Sequence, residues 1–289
     1  MSKTFQITFL IKTADLLGAA DILRDVLVLD LKIDRYAIIE RVTKKNISLM
    51  VFSSSSSRSK NILDKFKKLN LKHVIARYSE MDNEYWQNKW KEDFKPFALT
   101  SDIVVVPAWL KSTYCHKKSK KIIYIDSNLA FGTGMHETTR FMSELIESLK
   151  GKFNSFLDIG TGTGILALVA LNCGATDMMA LDISEDCIKN ADENLRFNGY
   201  NDYVLLTGDF GGSKINKKFD LVAANLVSLE LLAMADKIIK CVKIGGYLAV
   251  SGISHDNFKK VKMVFAQSLK PVSVKKGKDW NAILFKKGT

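Results

Sequence analysis

The second half of the chain alternates short apolar segments typical of buried strands with segments whose apolar residues have helical spacing. From about residue 155 onward the strand-like segments are SFLDIG, DMMALDI, YVLLTGD, FDLVAANL and GYLAVSGI. Helices are predicted between them, among others over 184–198 and 228–241. Helices between consecutive strands require crossover connections, which build a parallel sheet covered on both faces. We therefore predict a doubly wound α/β fold with seven strands, in which a helix over 256–268 precedes two short strands around 271–276 and 281–286.

The first 80 residues predict a separate, smaller α+β domain. TFQITFLI alternates apolar and polar residues as a half-buried strand does, and residues 14–28 have helical spacing. YAIIERV and ISLMVF predict a hairpin, SKNILDKFKKL a basic amphipathic helix, and HVIARYS a last strand. The resulting order βαββαβ is the ferredoxin-like pattern. Since that fold serves many functions, we expect it to recognise a substrate but assign it no chemistry.

A charged segment rich in aromatic residues joins the two halves. Tyr85, Trp86, Trp90 and Phe94 are mostly three or four residues apart, which predicts a helix with an aromatic stripe, ended by Pro96. Such a stripe more often packs against a neighbouring domain than binds a ligand. The predicted domains are therefore 1–80, a linker helix within 81–100, and 101–289.

Composition excludes several classes of protein. Apolar residues make up 47 % and charged residues 26 % of the 289 residues, which is the profile of a folded globular chain. No apolar stretch reaches the ~18 residues that cross a bilayer, and polar residues interrupt any signal-peptide core, so we expect a cytoplasmic protein with no membrane partner. The four cysteines form no C-x-x-C pair and the four histidines lack metal-ligand spacing, so we predict no structural metal.

The segment FLDIGTGTG predicts a ligand-binding loop between a buried strand and an apolar helix. Asp158 ends the strand, and Gly160, Gly162 and Gly164 follow, where the backbone can turn tightly and approach a ligand. A dinucleotide fingerprint would need a third glycine at position 165, which is isoleucine. The spacing therefore favours S-adenosylmethionine over a nicotinamide cofactor.

Two further carboxylates close the next strands. Asp182 lies 22 residues after Gly160, where a carboxylate can accept hydrogen bonds from both ribose hydroxyls. Asp209 follows the third strand, near the expected position of the adenine amino group. An acid at a strand end is often only a helix cap, but three of them beside a glycine loop favour an adenosine ligand.

Asn225, in AANLV at the end of the fourth strand, is the predicted catalytic residue. Methyltransferases that act on nucleobases or glutamine amides have two prolines and an aromatic residue after the polar residue at this point. Here Leu226, Val227 and Ser228 follow instead. A planar amide or base is therefore a less favoured methyl acceptor than an amine.

The most specific signal is IDSNLAFGTGMHETTR at 125–140. It resembles the class I methyltransferases of large-subunit ribosomal protein L11, whose pattern is LDPGLAFGTGTHPTT before the glycine loop and ANIL at the fourth strand. The resemblance extends to the front domain, to FKP after the linker and to SGI after the fifth strand. The chain departs from the pattern at Ser127-Asn128, which replaces Pro-Gly, and at His136-Glu137, which replaces His-Pro.

The resemblance implies a set of site residues. Cofactor binding is predicted for Thr133, Thr139, Asp158, Gly160, Gly162, Asp182, Asp209 and Asn225. Asn225 and His136 are the predicted catalytic residues, with Thr133 and His136 lining the mouth of the acceptor site. His136 is equally well explained as a loop histidine without a role in catalysis.

The reaction implied is methylation of amino groups of ribosomal protein L11, free or on the ribosome. A neutral amine is required: at pH 7 deprotonation costs about 4.6 kcal/mol for a lysine and about 1 kcal/mol for an α-amine, so the N-terminus is the easier target. We expect a monomer that makes no sequence-specific contact with nucleic acid. The alternatives are an RNA or small-molecule methyltransferase, which the net charge of +12 favours, and a ribosome-associated binder without turnover.

Overall fold

The computed structural model divides the chain into two units, Met1–Phe94 and Lys95–Thr289. The residues that it describes are 3–12, 20, 22–24, 26–27, 30–31, 33, 38–42, 47–53, 55–82, 94–115, 120–126 and 134–288. Each unit is described by itself.

The first unit contains one antiparallel sheet of four strands. They are β1 (Lys3–Ile11), β2 (Ile38–Val42), β3 (Ile47–Ser53) and β4 (Val74–Asp82), with helix α1 (Ser56–Lys68) between the last two. The strand order is β2-β3-β1-β4, and all neighbouring pairs are antiparallel. Residues 20, 22–24 and 26–27 are helical. This arrangement is compatible with the ferredoxin-like fold, which stays a prediction because much of its first helix lies outside the described residues.

One face of this sheet forms the core of the first unit. Ile7, Phe9 and Ile11 alternate along β1 and are buried, as the predicted half-buried strand requires. The ring of Phe9 packs on Phe66 of α1 with centroids 4.6 Å apart. The alternation in the sequence therefore sets which face of β1 packs against the helix.

The aromatic helix predicted between the domains falls mostly outside the described residues. Tyr85, Trp86 and Trp90 lie in the segment 83–93, of which nothing is described. On its two sides β4 ends at Asp82 and β5 begins at Phe97.

The second unit contains a sheet of seven strands in the order β10-β9-β8-β11-β12-β14-β13. The five from β10 to β12 are parallel, and the terminal hairpin pairs antiparallel with β12 through β14. This topology confirms the predicted doubly wound α/β fold. The strands are β8 (Ser155–Ile159), β9 (Asp177–Asp182), β10 (Val204–Thr207), β11 (Phe219–Asn225), β12 (Val242–Ser254), β13 (Leu269–Lys276) and β14 (Trp280–Lys287). A separate small sheet contains β5 (Phe97–Ala98), β6 (Ile103–Pro107) and β7 (Lys121–Ile125).

The helices of the second unit mostly follow the prediction. They are α2 (Glu137–Glu147), α3 (Ile165–Asn172), α4 (Glu185–Phe197), α5 (Ser228–Ala233), α6 (Ala235–Lys240) and α7 (His255–Ala266). The single helix predicted over 228–241 is wrong in one respect, because the backbone leaves the helical region at Met234, with φ −109° and ψ 9°. No helix in the described part of the chain is long and apolar enough to span a bilayer.

The starts of three strands are joined by the carboxylate of Asp220. It accepts hydrogen bonds from the amides of Asn154 (3.2 Å) and Ser155 (2.8 Å) and from Lys243 Nζ (2.8 Å). Burial by itself would raise the pKa of Asp220, but the hydrogen bonds from Lys243 and Ser155 outweigh it and hold the pKa below its ordinary value. This network lies at the amino edge of the parallel strands.

We predict that Asp220→Asn lowers the free energy of unfolding at pH 7 by about 1 to 3 kcal/mol, because it removes a charged acceptor from four donors, the hydroxyl of Ser155 included. Since the folded-state pKa is depressed, the contribution is complete above the unfolded pKa of about 4 and is lost as the pH falls below it. Urea unfolding at pH 7 and pH 3 measures both effects. Asp177→Asn, which removes an exposed pair with Lys217, is the control and should cost under about 1 kcal/mol. If the free energies of unfolding of Asp220→Asn and the parent differ by the same amount at pH 7 and pH 3, the prediction is contradicted.

Candidate functional site

The register of the parallel strands places their carboxyl ends in one row. Ile159 pairs with Leu181 and with Ala224, and the neighbouring pairs are Asp182 with Thr207 and Asn225 with Ser251. The residues predicted at these strand ends therefore meet at the carboxyl edge of the sheet. Ligands of open α/β sheets bind at this edge.

The glycine loop after β8 has a backbone that side chains would not allow. Gly160, Gly162 and Gly164 have φ values of +75°, +56° and +79°. A Cβ at Gly160 would lie 2.7 Å from Leu226 Cδ2, and one at Gly164 would lie 3.3 Å from Ala191 Cα on α4. The glycines therefore let the loop pack closely between β11 and α4.

Asp182 fastens this loop to the end of β9. Its Oδ2 accepts from the amide of Gly162 at 2.9 Å, and its Oδ1 accepts from the amide of Ser184 at 3.0 Å. Ser184, and not Asp182, is the N-cap of α4. Each carboxylate oxygen can accept a second hydrogen bond, so the half-buried Asp182 can still receive two hydroxyls of a bound ribose.

Asp158 is fully buried beneath the same loop. The Thr161 hydroxyl donates to its Oδ2 at 2.7 Å, whereas Oδ1 forms no hydrogen bond of ordinary geometry with the described residues. Burial raises the pKa of Asp158 to about 7, the hydrogen bond from Thr161 opposes this, and the charge of Asp182 adds to it. Burial therefore disfavours the ionised form of Asp158 relative to an exposed aspartate.

Helix α2 begins at the same edge. Trp280 pairs with Ser254 at the end of β12, and the amide of Trp280 donates to the Glu137 carboxylate at 3.1 Å. Two residues further along α2, Thr139 is 1 % exposed and its hydroxyl has no hydrogen-bond partner among the described residues. Buried polar atoms are nearly always hydrogen-bonded, so the oxygens of Thr139 and Asp158 fit a site for a polar ligand.

His136 is the N-cap of α2. Its Nδ1 accepts from the amide of Thr138 at 3.3 Å and lies 2.7 Å from the Thr138 hydroxyl. Burial lowers the pKa of His136, and the negative charges of Glu137 and Asp279 oppose the shift. A neutral ring is what a cap requires as an acceptor, so capping accounts for this histidine without a catalytic role.

Asn225 is half-buried, and its side chain forms no hydrogen bond that stabilises the fold of the described residues. The helix after β11 is capped by Val227 without a side-chain hydrogen bond, and the Asn225 amide forms no hydrogen bond within the described residues. Nearby, a Cβ at Gly252 of β12 would overlap the carbonyl of Leu226. The pairing of β11 with β12 therefore fixes the backbone of Asn225, and its side-chain amide is available for a ligand.

Asp209 has a local structural role. It is exposed, and its carboxylate accepts from the amides of Gly211 (3.0 Å) and Gly212 (2.9 Å). Lys237 on α6 donates to the carbonyls of the same turn, including Gly211 at 2.9 Å. The structure therefore shows Asp209 as a turn-forming residue, and its adenine contact stays a prediction. Thr133 lies outside the described residues.

The sequence reasoning missed an asparagine ladder on α4, formed by Asn190, Asn194 and Asn198. Asn198 exchanges two hydrogen bonds with the backbone of Tyr124 in β7, and Asn194 exchanges two with the backbone of Asp126, all between 2.7 and 3.0 Å. Asn190 also donates to the Asp126 carbonyl, at 2.9 Å. The side-chain amides thus form the hydrogen bonds that a neighbouring strand would form with this stretch of backbone. The signal in the sequence is three asparagines four residues apart on an amphipathic helix.

Asn194 extends the ladder to the glycine loop. It is 1 % exposed, and its Nδ2 also donates to the carbonyl of Thr163 at 2.9 Å. One side chain therefore fixes both the glycine loop and Asp126, the residue that follows β7.

Two cavities lie away from this edge. One, of about 380 Å³, is lined by Lys111, Tyr124 and Phe197 among others, and the other, of about 460 Å³, by residues that include Met234 and Lys240. The first lies beside the carboxyl end of α4 and the second beside α6, and neither is lined by Asp182, Thr139 or Asn225. We therefore place the site by the polar groups at the carboxyl edge.

We predict that Asn194→Ala weakens binding of S-adenosylmethionine by about 0.5 to 2 kcal/mol, because the glycine loop loses its anchor on α4. Asn198→Ala is the matched control, since it removes two hydrogen bonds to β7 but none to the loop. Calorimetry on the folded variants measures the affinities. Equal losses of affinity in the two variants, or no loss in Asn194→Ala, would refute the role of Asn194.

In comparisons with known proteins, the family resemblance noted at 125–140 extends over most of the chain. The family model of ribosomal protein L11 methyltransferases (PrmA) matches residues 16–288. A ribosomal protein L11 methyltransferase of Caldanaerobacter subterraneus is 31 % identical over 76 % of this chain and 70 % of its own length, and that of Caldicellulosiruptor saccharolyticus is 33 % identical over 84 % and 78 %. The crystal structure of a ribosomal protein L11 methylase from Lactobacillus delbrueckii has a TM-score of 0.62 and 29 % identity, and covers 68 % of this chain and 100 % of that one.

Proposed function

Because the chain belongs to the ribosomal protein L11 methyltransferase family, we propose that it transfers methyl groups from S-adenosylmethionine to amino groups of ribosomal protein L11. The acceptors are the N-terminal α-amine and lysine side chains. The observation that carries this proposal is the placement of Asn225: a rigidly held, uncommitted amide at the carboxyl edge, one strand from the glycine loop.

The residues around the glycine loop fit the methyl donor. When bound, S-adenosylmethionine supplies an electrophilic methyl group on a sulfonium, together with its leaving group. Asp182 would accept the ribose hydroxyls while it holds the amide of Gly162. The unpaired oxygens of Thr139 and Asp158 would meet other polar groups of the donor. We propose in addition that Asp209 contacts the adenine from the turn that its carboxylate stabilises.

Asn225 would act on the methyl acceptor. The acceptor amine must be neutral, so that its lone pair can form the new bond to carbon as the bond from carbon to sulfur breaks. A neutral amide oxygen can accept an N–H of that amine and aim the lone pair without stabilising the ammonium form. A carboxylate at this position would favour the ammonium and oppose the reaction.

The first unit would recognise ribosomal protein L11, and His136 and Thr133 would line the mouth of the acceptor site. We propose that the protein is cytoplasmic, since the proposed substrate is a ribosomal protein. We also propose that it is a monomer. Mass spectrometry of purified L11 after incubation with isotopically labelled S-adenosylmethionine tests the proposal. Label on L11 amines supports it. Label on ribosomal RNA but not on L11 would favour an RNA methyltransferase, and binding of the donor without any transfer would favour a binder without turnover.

We predict that Asn225→Ala lowers kcat for L11 methylation by about 10² or more, as for the loss of one preorganised polar group in other enzymes. Raising the pH should not restore the rate. Asn225→Asp should also be slow, with its pH optimum shifted upward, because the added charge stabilises the ammonium form.

Single-turnover rates, corrected for the folded fraction, provide the measurement. Asp177→Asn, at the start of β9 and away from the carboxyl edge, serves as the control in the same unit. An Asn225→Ala variant within twofold of the parent rate would exclude the proposed role of Asn225.

A further inference from the structure

Glu137, the first residue of α2, binds a turn that is distant in the sequence. Its Oε1 accepts from the amide of Lys278 at 3.1 Å, and its Oε2 accepts from the amides of Asp279 and Trp280 at 3.4 and 3.1 Å. These amides belong to the turn between β13 and β14, which we call the 277–280 turn. Successive backbone N–H groups that converge on one point form an anion-binding concavity, and here the anion is a side chain of the same chain.

The 277–280 turn is shaped to receive this carboxylate. A Cβ at Gly277 would overlap the carboxyl group of Glu137, so only glycine leaves room for it. The amide of Gly277 donates to the carbonyl of Trp280 at 2.9 Å and closes the turn.

A second contact holds the turn from α7. His255 Nε2 lies 2.9 Å from the carbonyl of Lys278, and its Nδ1 lies 3.2 Å from Nδ2 of the buried Asn281. With Glu137 on one side and His255 on the other, the turn is fixed at the carboxyl edge of the sheet. The ring of Trp280 then meets the ring of His136 edge-on, with centroids 5.8 Å apart.

We infer that Glu137 is a positioning residue of the active site. Its carboxylate clamps the 277–280 turn to the first turn of α2 and thereby fixes His136, which caps that helix, and Thr139, whose hydroxyl is buried in the same turn of the helix. The inference rests on the proposed function for the roles of His136 and Thr139. The family pattern has proline at the position of Glu137, so the clamp belongs to this chain and not to the pattern.

The position of Glu137 supports this role in two ways. A negative charge in the first turn of a helix is favoured by the helix dipole, and Glu137 is the acidic residue in the first turn of α2. Burial lowers the pKa of His136, and the nearby charge of Glu137 opposes this shift.

Glu137→Pro is the test variant. Proline is well tolerated at the first helical position, and the preceding His136 has φ −70° and ψ 143°, the extended backbone that a following proline requires. The variant therefore removes the clamp while leaving the helix start intact. Glu137→Gln, which keeps an acceptor oxygen but no charge, is a second variant with a smaller expected effect.

Glu144→Gln is the matched control. Glu144 also joins α2 to the terminal hairpin, through an ion pair with Lys275 at 2.8 Å, but it lies two turns further along the helix. Glu144→Gln therefore also weakens a link between the helix and the hairpin, but it should leave the ligand site unchanged.

We expect Glu137→Pro to raise the dissociation constant of S-adenosylmethionine about tenfold by calorimetry, as for the loss of hydrogen bonds to a charged group, and Glu137→Gln to raise it less. Glu144→Gln should stay within twofold of the parent. Glu137→Pro should also shift the NMR signals of the His136 ring, assigned by comparison with His136→Gln, whereas Glu144→Gln should not.

Folded Glu137→Pro protein that binds the donor within twofold of the parent, with an unchanged His136 signal, would overturn the inference. The His136 signal keeps this test separate from the proposed function. If the parent protein neither binds S-adenosylmethionine nor methylates L11, the proposed function fails, yet an unmoved His136 signal in Glu137→Pro still refutes the clamp and a displaced signal still supports it.

Discussion

The hydrogen bond from the amide of Gly162 to the carboxylate of Asp182 joins the ends of two central strands, and the site depends on it. The bond requires the loop after β8 to turn back through left-handed backbone, which its glycines provide at low cost. It also orients the Asp182 carboxylate, whose two oxygens can each accept one further hydrogen bond. The parallel register then places Asn225 beside the loop, on the strand next to β8.

Side chains that bind backbone groups hold the surrounding loops. Asn194 links the glycine loop to the residue after β7, Glu137 links α2 to the terminal hairpin, and Lys237 with Asp209 shapes the turn after β10. Each link satisfies backbone groups that a loop cannot pair in a regular ladder. Loops at the carboxyl edge can therefore be irregular in path and still be fixed in position, which a methyl transfer that depends on alignment requires.

Stability and chemistry are located at opposite edges of the sheet. At the amino edge, Asp220 of β11 collects hydrogen bonds from the starts of its two neighbouring strands, β8 and β12, and has a depressed pKa. At the carboxyl edge, Asp158 and Thr139 have buried oxygens without partners among the residues that the structure describes, and the pKa of Asp158 is raised. Unsatisfied groups are costly, so the site is less stable than a fully paired structure would be, and the saturated network at the other edge offsets this cost.

The sequence by itself determined the fold class and the family. The alternation of apolar strands and helices required a parallel sheet, and the spacing of Gly160, Gly162 and Gly164 with Asp182 placed the ligand loop, because both depend on residues close together in the chain. The resemblance seen at 125–140 is confirmed by the family match over 16–288. Only the tertiary structure decided that Asn194 joins two loops and that Glu137 binds the 277–280 turn. These contacts join residues up to 143 positions apart, and such pairings depend on how the elements pack, which no local pattern of residues specifies.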